Sequence, residues 1–529
     1  MINKLFFLKK KIFLSKFEKE FIIFNRNLYQ NNRNNSNEEI LVELFDHPPL
    51  IYFWSIIANY ISKKNKLKIK YFYFKTYNSL ISKFIFFIKN LSKIYNSFNA
   101  NEGINEYNFP LFKKKEFAFT EFNKIKTKKQ LEEFRYKGIK IGDLIYDTYI
   151  RTTFNPSANL DDDKLFDIFC RAIHIFDHVE KYFQKNIVKL LITSHSYYIQ
   201  YGIILRIGIK NNIPVMMVHN KARGNTEFRL KIIDKEYPFE HNYGYLNYNK
   251  DFKKLKNKSS RIKIGKKLIE ERIYGHKKLS YLKHSPYKKN KISKKIFLKE
   301  TNKKENIIIF AHCFFDAVHR YRYSIFEDYF EQIIFFMELS ENDKKYNWFI
   351  KQHPNDLPYN DVVYKEKFSK YKKINFLDKN TSNIEIIKLN PKIAITNNGS
   401  IAHEFSYFKI PVINTGDNCH INYNFCLHPE TKKELTDMIY QIEKYKNKIN
   451  YDPKNIYEFM YMHYAHQILK NNENKFLKDS YFATKNINFN STVNIFKYYK
   501  NNHKKNIFFI NEYIKIFLKN NFKSLNLNF

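Results

Sequence analysis

At 529 residues the chain exceeds what one hydrophobic core ordinarily organises, so two to three domains are expected. Apolar residues make up 44%, enough for packed interiors, which excludes a disordered chain. The formal charge of +40, from 92 Lys+Arg against 52 Asp+Glu, has two readings. Lys, Asn, Ile, Phe and Tyr have AT-rich codons and Gly numbers only 11, so coding bias can place lysine on solvated faces. Alternatively the charge attracts anionic ligands or an acidic membrane surface. A nucleic-acid binder would need basic and aromatic residues interleaved on one surface. Lysine is instead spread along the whole chain, so no nucleic-acid partner is expected.

Four cysteines, Cys170, Cys313, Cys419 and Cys426, form no C-x-x-C or metal-ligand pair, and a reducing, cytoplasmic setting fits them. Arginine ends at Arg322. Arg151, Arg206, Arg223, Arg320 and Arg322 keep a planar, permanently charged fork where lysine is otherwise the rule. Residues 1–24 are apolar and basic, but no run reaches the ~18 residues of a membrane span. An interfacial helix at the inner membrane and a plain amphipathic core helix are both open readings.

In chain order, residues 25–40 read as a polar linker ending near Glu38 and Glu39. Asp46-His47-Pro48-Pro49 opens a helix over 50–61, since proline suits a helix start, and 67–74 is a strand candidate. Residues 136–151 carry two glycines with Asp143, Asp147 and Arg151. Asp161-Asp162-Asp163 suits a helix N-terminus. Behind it Leu165, Phe166, Phe169, Ile173, Phe176, Val179 and Phe183 share one helical face. A strand at 188–193, the turn Ser194-His195-Ser196, a helix through Arg206 and a strand at 214–218 make a β-loop-α-β unit, which implies a parallel sheet. Residues 250–305 are Lys-dense and read as a connector. A second alternating array has strands at 307–311, 348–351, 374–377, 393–396 and 411–414, with helices at 325–339, 383–389 and 401–408 between most of them. The expected architecture is α/β, two Rossmann-like domains facing a cleft, with extra C-terminal helices. The expected divisions are a basic N-terminal segment and linker (1–40), an N-terminal Rossmann-like domain (41–250), the connector (251–305), a C-terminal Rossmann-like domain (306–430) and a helical C-terminal region (431–529).

Two motifs follow strands of the second array. In an open parallel sheet ligands sit beyond the carboxyl ends of the strands, so Lys351 and His353 of Lys351-Gln352-His353-Pro354 are expected to face that crevice and donate to phosphate. In Asn397-Asn398-Gly399-Ser400 the glycine permits close backbone approach and the opening helix offers free amides to an anion. Glu404, one turn on, is placed to accept from ribose hydroxyls. A loop histidine before a turn proline, an ordinary helix cap and a solvated helix acid are the plain alternatives.

The block 348–416 resembles the C-terminal domain of capsule and surface-polysaccharide glycosyltransferases of the GT-B fold. In these a Lys-x-His-Pro motif and a later serine or glycine-serine motif grip the donor nucleotide, as in polysialyltransferases, capsule Kdo transferases and teichoic-acid glycerophosphotransferases. Residues 136–219 resemble the N-terminal half of capsular polysaccharide biosynthesis proteins. The resemblance implies a nucleotide-sugar donor bound by Lys351, His353, Asn398, Gly399, Ser400, Glu404 and His312, and transfer to a glycan or lipid-linked glycan acceptor. Asn-Gly-Ser departs from the double-serine version, which leaves the donor open between CMP- and UDP-linked sugars. No cofactor is implied, the nucleotide sugar being substrate.

An inverting transfer needs a base for the acceptor hydroxyl. Asp316, His195 and Asp143 are the candidates: Asp316 follows the first strand of the second array, His195 ends a strand of the first array, and Asp143 lies beside Asp147 and Arg151. A structural ion pair explains Asp143 equally well. No spaced acidic pair follows a strand, so metal independence is expected. A nucleotide-sugar 2-epimerase or polyol-phosphate transferase of the same fold is the alternative reading.

Overall fold

A computed structural model describes residues 14–30, 36–75, 91–220, 228–233, 245–274, 304–353 and 359–466. Residues 1–13 of the basic N-terminal segment, Arg223, Pro354 and residues 467–529 of the expected C-terminal helices lie outside the described residues.

Helix α1 (Lys16–Tyr29) opens with a capping box. Ser15 accepts from the Glu18 amide, and the Glu18 carboxylate accepts from the Ser15 amide at 2.6 Å, satisfying two otherwise orphaned donors. The first sheet then collects β1 (Glu38–Glu43), β2 (Lys68–Tyr73), β3 (Ala100–Asn105), β4 (Ile187–Thr193), β5 (Val215–Asn220) and β6 (Phe228–Ile233) in the order β3-β2-β1-β4-β5-β6. All neighbours are parallel except β5 and β6, which run antiparallel. The second sheet holds β7 (Glu305–Phe310), β8 (Tyr346–Lys351), β9 (Ile374–Leu377), β10 (Pro391–Thr396) and β11 (Val412–Asn414) in the order β9-β8-β7-β10-β11, all parallel. Each is a doubly wound sheet whose chain reverses direction beside its first strand. The two switch points, where ligands bind in such sheets, lie between β1 and β4 and between β7 and β10.

The strands are apolar on both faces because helices cover both. Ile40, Leu41 and Val42 in β1, and Ile307, Ile308 and Ile309 in β7, are fully buried, the pattern of a central parallel strand. The expected linker is therefore corrected. Helix α1 runs to Tyr29, and β1 begins at Glu38 as a central strand of its sheet. The acids that made this stretch look solvated are inside: Glu39 is 4% exposed and accepts from the Tyr182 hydroxyl at 2.5 Å, and Glu43 is 2% exposed.

Helix α2 (Pro48–Asn65) starts on its proline pair. Helix α3 (Gly142–Thr153) packs beside α4 (Asp163–Lys185), whose Asp162 cap accepts from the Lys164 amide. Along α4, Leu165, Phe169, Ile173, Phe176 and Val179 are buried as the periodicity requires, while Phe166 and Phe183 sit at its margin. Each fully buried side chain of this size contributes about 1.5–3 kcal/mol. Helix α5 (Ile199–Lys210) links β4 to β5. The Lys-rich connector contains α6 (Lys258–Ile273), packed on α9 (Pro453–Tyr461). A Cβ at Gly265 would lie 1.8 Å from the Tyr457 carbonyl, so glycine there sets the approach of the two helices.

In the second domain α7 (Tyr329–Asn342) begins four residues later than expected, because Asp328 caps it by accepting from the Glu331 amide at 2.8 Å. Ile325, expected in the helix, instead donates its amide to the Thr415 carbonyl at 3.1 Å. Helix α8 (Ile401–Tyr407) follows β10. Among the described residues no helix is long and apolar enough to cross a membrane.

The domains are docked through α3. Tyr146 and Ser157 both donate to Asp328 Oδ2 at 2.5 Å, Asp147 pairs with His319 Nδ1 at 2.7 Å, and Arg151 reaches the Phe315 carbonyl. One apolar cluster runs from Leu41 through Leu144 and Tyr149 to Phe315 and Ile333. The turn after β4 also meets the turn after β7, where Tyr198 and Tyr201 pack on Ala317.

Candidate functional site

At the second switch point Asn397-Asn398-Gly399-Ser400 leaves β10 as a tight loop. Asn398 adopts φ 58°, a left-handed conformation that asparagine tolerates better than most residues. A Cβ on Gly399 would sit 2.3 Å from Thr396 Oγ1, and one on Gly416 would sit 2.2 Å from Asn397 Oδ1 and 2.7 Å from Asn398 Oδ1. The two glycines thus let the loops after β10 and β11 nest. Asn418 Nδ2 donates to the Gly399 carbonyl at 3.3 Å, and Asn397 Nδ2 to Ser324 Oγ at 3.1 Å. Asn397 Oδ1 is shielded from solvent without a hydrogen-bond partner, and the buried Asn398 side chain lies beside the Tyr329 hydroxyl. An unpartnered group of this kind costs about 1–3 kcal/mol unless something else satisfies it.

His312, just after β7, stacks on Tyr329 (4.3 Å between centroids, 16°) and on His353 (5.6 Å, 27°). The Cys313 amide donates to His312 Nδ1 at 2.9 Å, so the ring hydrogen is on Nε2. Burial, with His353 and Arg320 against it, lowers its pKa to about 3 despite the Asp316 charge. His312 is therefore a neutral Nε2–H donor. Asp316 accepts from the Ala317 amide at 3.0 Å and pairs with Arg320 at 3.2 Å. Burial raises its pKa, but the Arg320 and Arg151 guanidinium groups more than offset that and keep it below the ordinary carboxylate range. An ionised carboxylate held by arginine is a weak base.

Two expected ligands have partners that the sequence reading did not foresee. Lys351 is 3% exposed and gives its ammonium to Asn383 Oδ1 at 2.5 Å, with the Phe310 ring at the end of β7 6.0 Å away. Burial pulls its pKa down to about 7 although Glu404 and Asp378 act against this. Glu404 is 1% exposed and pairs with Arg272 from α6, which also donates to Ser400 Oγ at 2.8 Å. Glu404 is thus held by a guanidinium rather than presented to a ribose. His353 stays with His312 at the strand ends.

At the first switch point Glu43 ends β1. It accepts from the Ser194 amide at 2.6 Å, from Ser194 Oγ at 2.8 and 2.9 Å, and from Thr193 Oγ1 at 2.9 Å. Burial raises its pKa to about 7 against these bonds. Ser194 Oγ lies 2.5 Å from His195 Nδ1. The His195 ring is stacked with Tyr201 (5.0 Å) and meets Phe45 (5.8 Å) and Tyr197 (5.2 Å) edge-on. Tyr198, before α5, has φ 63° and ψ 152°, a region almost reserved for glycine that costs a tyrosine on the order of 1–3 kcal/mol. Tyr198 and Tyr201 pack on Ala317, and Arg320 lies over the Tyr197 ring at 5.9 Å. The aromatic wall of His195 therefore touches the turn that carries Asp316. Asp143 is elsewhere: 2% exposed, with both oxygens 2.6 Å from Arg206. Burial acts to raise its pKa and Arg206 lowers it further than that. Asp143 makes a structural pair between α3 and α5.

The structure thus gathers His312, His353, Asp316, Asn398 and Gly399 at one switch point and His195 at the other. Glu43, Tyr198 and Arg272 were not legible as site residues. The signal for Glu43 was present, an acid closing a short apolar run that could be a strand, but flanking acids disguised the run. Among the described residues no group of three or more His, Cys, Asp or Glu is placed to hold a metal ion.

The architecture defines an α/β protein of two Rossmann-like domains, the GT-B arrangement. No family model matches the sequence, and no curated protein matches it. Solved structures with a similar fold include the β-Kdo 2,4 transferase KpsC of Thermosulfurimonas dismutans (8% identity, TM-score 0.34, 51% of this chain and 78% of that one). Two UDP-GlcNAc 2-epimerases are also similar. The Neisseria meningitidis enzyme, bound to UDP-GlcNAc, has 10% identity and a TM-score of 0.26, over 82% of this chain and 99% of that one. The Methanocaldococcus jannaschii enzyme has 13% identity and a TM-score of 0.22, over 76% and 91%. The fold assignment rests on the strand orders above.

Proposed function

We propose that the protein is a glycosyltransferase that takes a sugar from a CMP- or UDP-linked donor and passes it to a surface glycan or lipid-linked glycan. The observation that carries this is the meeting of two chemically different switch points. The second offers neutral and cationic donors, namely His312 Nε2–H, the Asn398 amide, the Gly399 loop and Arg320, which suits a phosphate whose charge grows as the bond breaks. The first offers a histidine bonded to Ser194, which in turn donates to the buried Glu43, and a histidine suits proton removal.

The step balances as follows. The acceptor O–H gives its proton to the His195 ring, and the acceptor oxygen forms the new bond to the anomeric carbon. The bond from that carbon to the donor phosphate oxygen breaks, and its electron pair leaves on the phosphate, stabilised by His312 and Arg320. Asp316, ionised beside Arg320, orients that guanidinium.

The test is a panel of CMP- and UDP-sugars by thermal shift, followed by turnover with release of free nucleotide. A stabilising donor raises the melting temperature in proportion to RT ln(1 + [L]/Kd), and His353→Ala should lose most of that shift while remaining folded. No shift with any nucleotide sugar, or a His353→Ala variant with unchanged binding and turnover, overturns the assignment. Interconversion of the donor sugar at C2, in place of transfer, would make the enzyme an epimerase.

A further inference from the structure

Helix α3 carries the sequence Tyr146-Asp147-Thr148, whose side chains leave the axis about 100° apart and so face three directions. All three residues are buried, at 0%, 1% and 1% exposure, and each bonds to a different loop of the site. Tyr146 donates to Asp328 Oδ2 at 2.5 Å. Asp328 caps α7 just before Tyr329, the ring on which His312 stacks. Asp147 belongs to the first domain and accepts backbone amides of the second, Val318 N–H at 3.2 Å and His319 N–H at 3.3 Å, and it pairs with His319 Nδ1 at 2.7 Å. Val318 and His319 lie between Asp316 and Arg320, which pair with each other. Thr148 Oγ1 accepts the Ile199 amide at 3.0 Å and donates to the Leu144 carbonyl at 2.6 Å. Ile199 opens α5, directly after the turn that carries His195.

We propose that Asp147 and Thr148 are positioning residues, through which one helix holds the Arg320 turn of the second domain and the His195 turn of the first in fixed register. The roles given to the two turns rest on the proposed transfer reaction, whereas the contacts can be tested without a substrate.

The bonds have an unambiguous direction, because a backbone N–H only donates. A carboxylate makes charge-assisted bonds, roughly twice as strong as neutral ones. At 1% exposure for Asp147 and Thr148, an amide that loses its acceptor costs its full desolvation. The Val318–His319 backbone therefore follows α3, and Arg151, one helical turn beyond Asp147, adds a bond to the Phe315 carbonyl at 3.4 Å. The Ile199 N–H lies in the planar peptide unit that follows Tyr198. Tyr198 has φ 63°, a conformation that persists only where its surroundings over-determine it. Thr148 holds that peptide plane from outside the turn. A single helix bonded to both turns fixes their spacing, which a transfer between a base and a phosphate site requires.

The experiment is hydrogen–deuterium exchange of the full chain, read over residues 195–201 and 313–320, with melting temperatures in parallel. Asp147→Ala should raise exchange in 313–320 and leave 195–201 as in wild type. Thr148→Val, nearly isosteric, should do the reverse. Loosening of both turns in either variant, or of neither, overturns the proposal. An Asp147→Ala chain too unstable to study leaves Asp147→Asn, which keeps only a neutral acceptor. Exchange in 313–320 should still rise in it, and unchanged exchange there overturns the proposal as well. Binding of UDP and CMP as probes should weaken about 10–100-fold in Asp147→Ala. In the transfer assay Thr148→Val should lower kcat about 10²-fold with nucleotide affinity unchanged. Two buried neighbours with a merely structural role would share one signature, so equal effects on affinity and kcat in both variants reject positioning. Divided exchange in a chain that binds neither nucleotide would retain the hold of α3 on both turns and overturn the transfer reaction instead.

Discussion

The first five strands of the first sheet follow the same order as the five of the second, and the two sheets carry different chemistry at the same topological point. Beyond β1 and β4 the groups are a buried carboxylate, a serine and a histidine; beyond β7 and β10 they are asparagine amides, two stacked histidines and an arginine. Two carboxylates near the second point are held by a guanidinium, Asp316 by Arg320 and Glu404 by Arg272, whereas Glu43 accepts from neutral hydroxyls and an amide. A carboxylate bonded only to neutral groups in a dry site keeps a high proton affinity, while one beside arginine loses it. The fold supplies the position, and the partners decide how strongly an acid holds a proton.

The largest effect should come from the first switch point. His195→Gln should lower kcat about 10²–10⁴-fold with the donor's thermal shift retained, whereas Asp316→Asn should cost less in kcat and more in donor affinity. Equal losses in both variants would erase the division of labour. Next, Arg272→Ala leaves Glu404 buried beside Ser400 without its guanidinium. Urea unfolding should report a loss of about 3–5 kcal/mol, as for other buried pairs broken on one side, and a loss below about 1 kcal/mol would show that Glu404 is not held as described. Gly416→Ala should be smaller, roughly 1–3 kcal/mol as for overpacking elsewhere. Its Cβ would press on Asn397 and Asn398, so the loss of donor binding should exceed what the stability change explains.

The smallest expected effect is a pH dependence. His403, His420 and His428 lie together near Phe425 and Phe459, with both ring nitrogens of each unpartnered and buried. Burial lowers all three, His428 to about 4 and His403 to about 3. The unfolded chain then binds more protons than the folded one between the ordinary histidine value near 6.5 and these lowered values. Stability is therefore full above about pH 6.5 and falls as the pH drops through that window. His428→Gln should flatten the fall in melting temperature between pH 7 and pH 5, and an unchanged slope would count against a neutral buried cluster.

Much of the architecture was legible because its signals are local. The apolar runs at 374–377 and 393–396, the face of α4 and the glycine-serine turn at Gly399-Ser400 each depend on residues close in sequence, and the strands and helix formed where those patterns placed them. The first strand escaped because Glu38, Glu39 and Glu43 look solvated in a linear reading, and only a parallel sheet with a partner helix shows that Glu39 and Glu43 are inside. The site followed the same rule. His353, His312 and Asn398 sit at strand ends that periodicity locates. Whether Lys351 meets phosphate or Asn383, whether Glu404 meets a ribose or Arg272, and whether Asp143 faces a cleft or Arg206 depend on contacts between residues 32 to 132 positions apart. Sequence by itself determined the two alternating arrays and the residues at their strand ends, since backbone periodicity and turn chemistry act over a few residues. Only the tertiary structure decided the charge state and partner of each acid, because desolvation and ion pairing are set by whatever group the fold brings alongside.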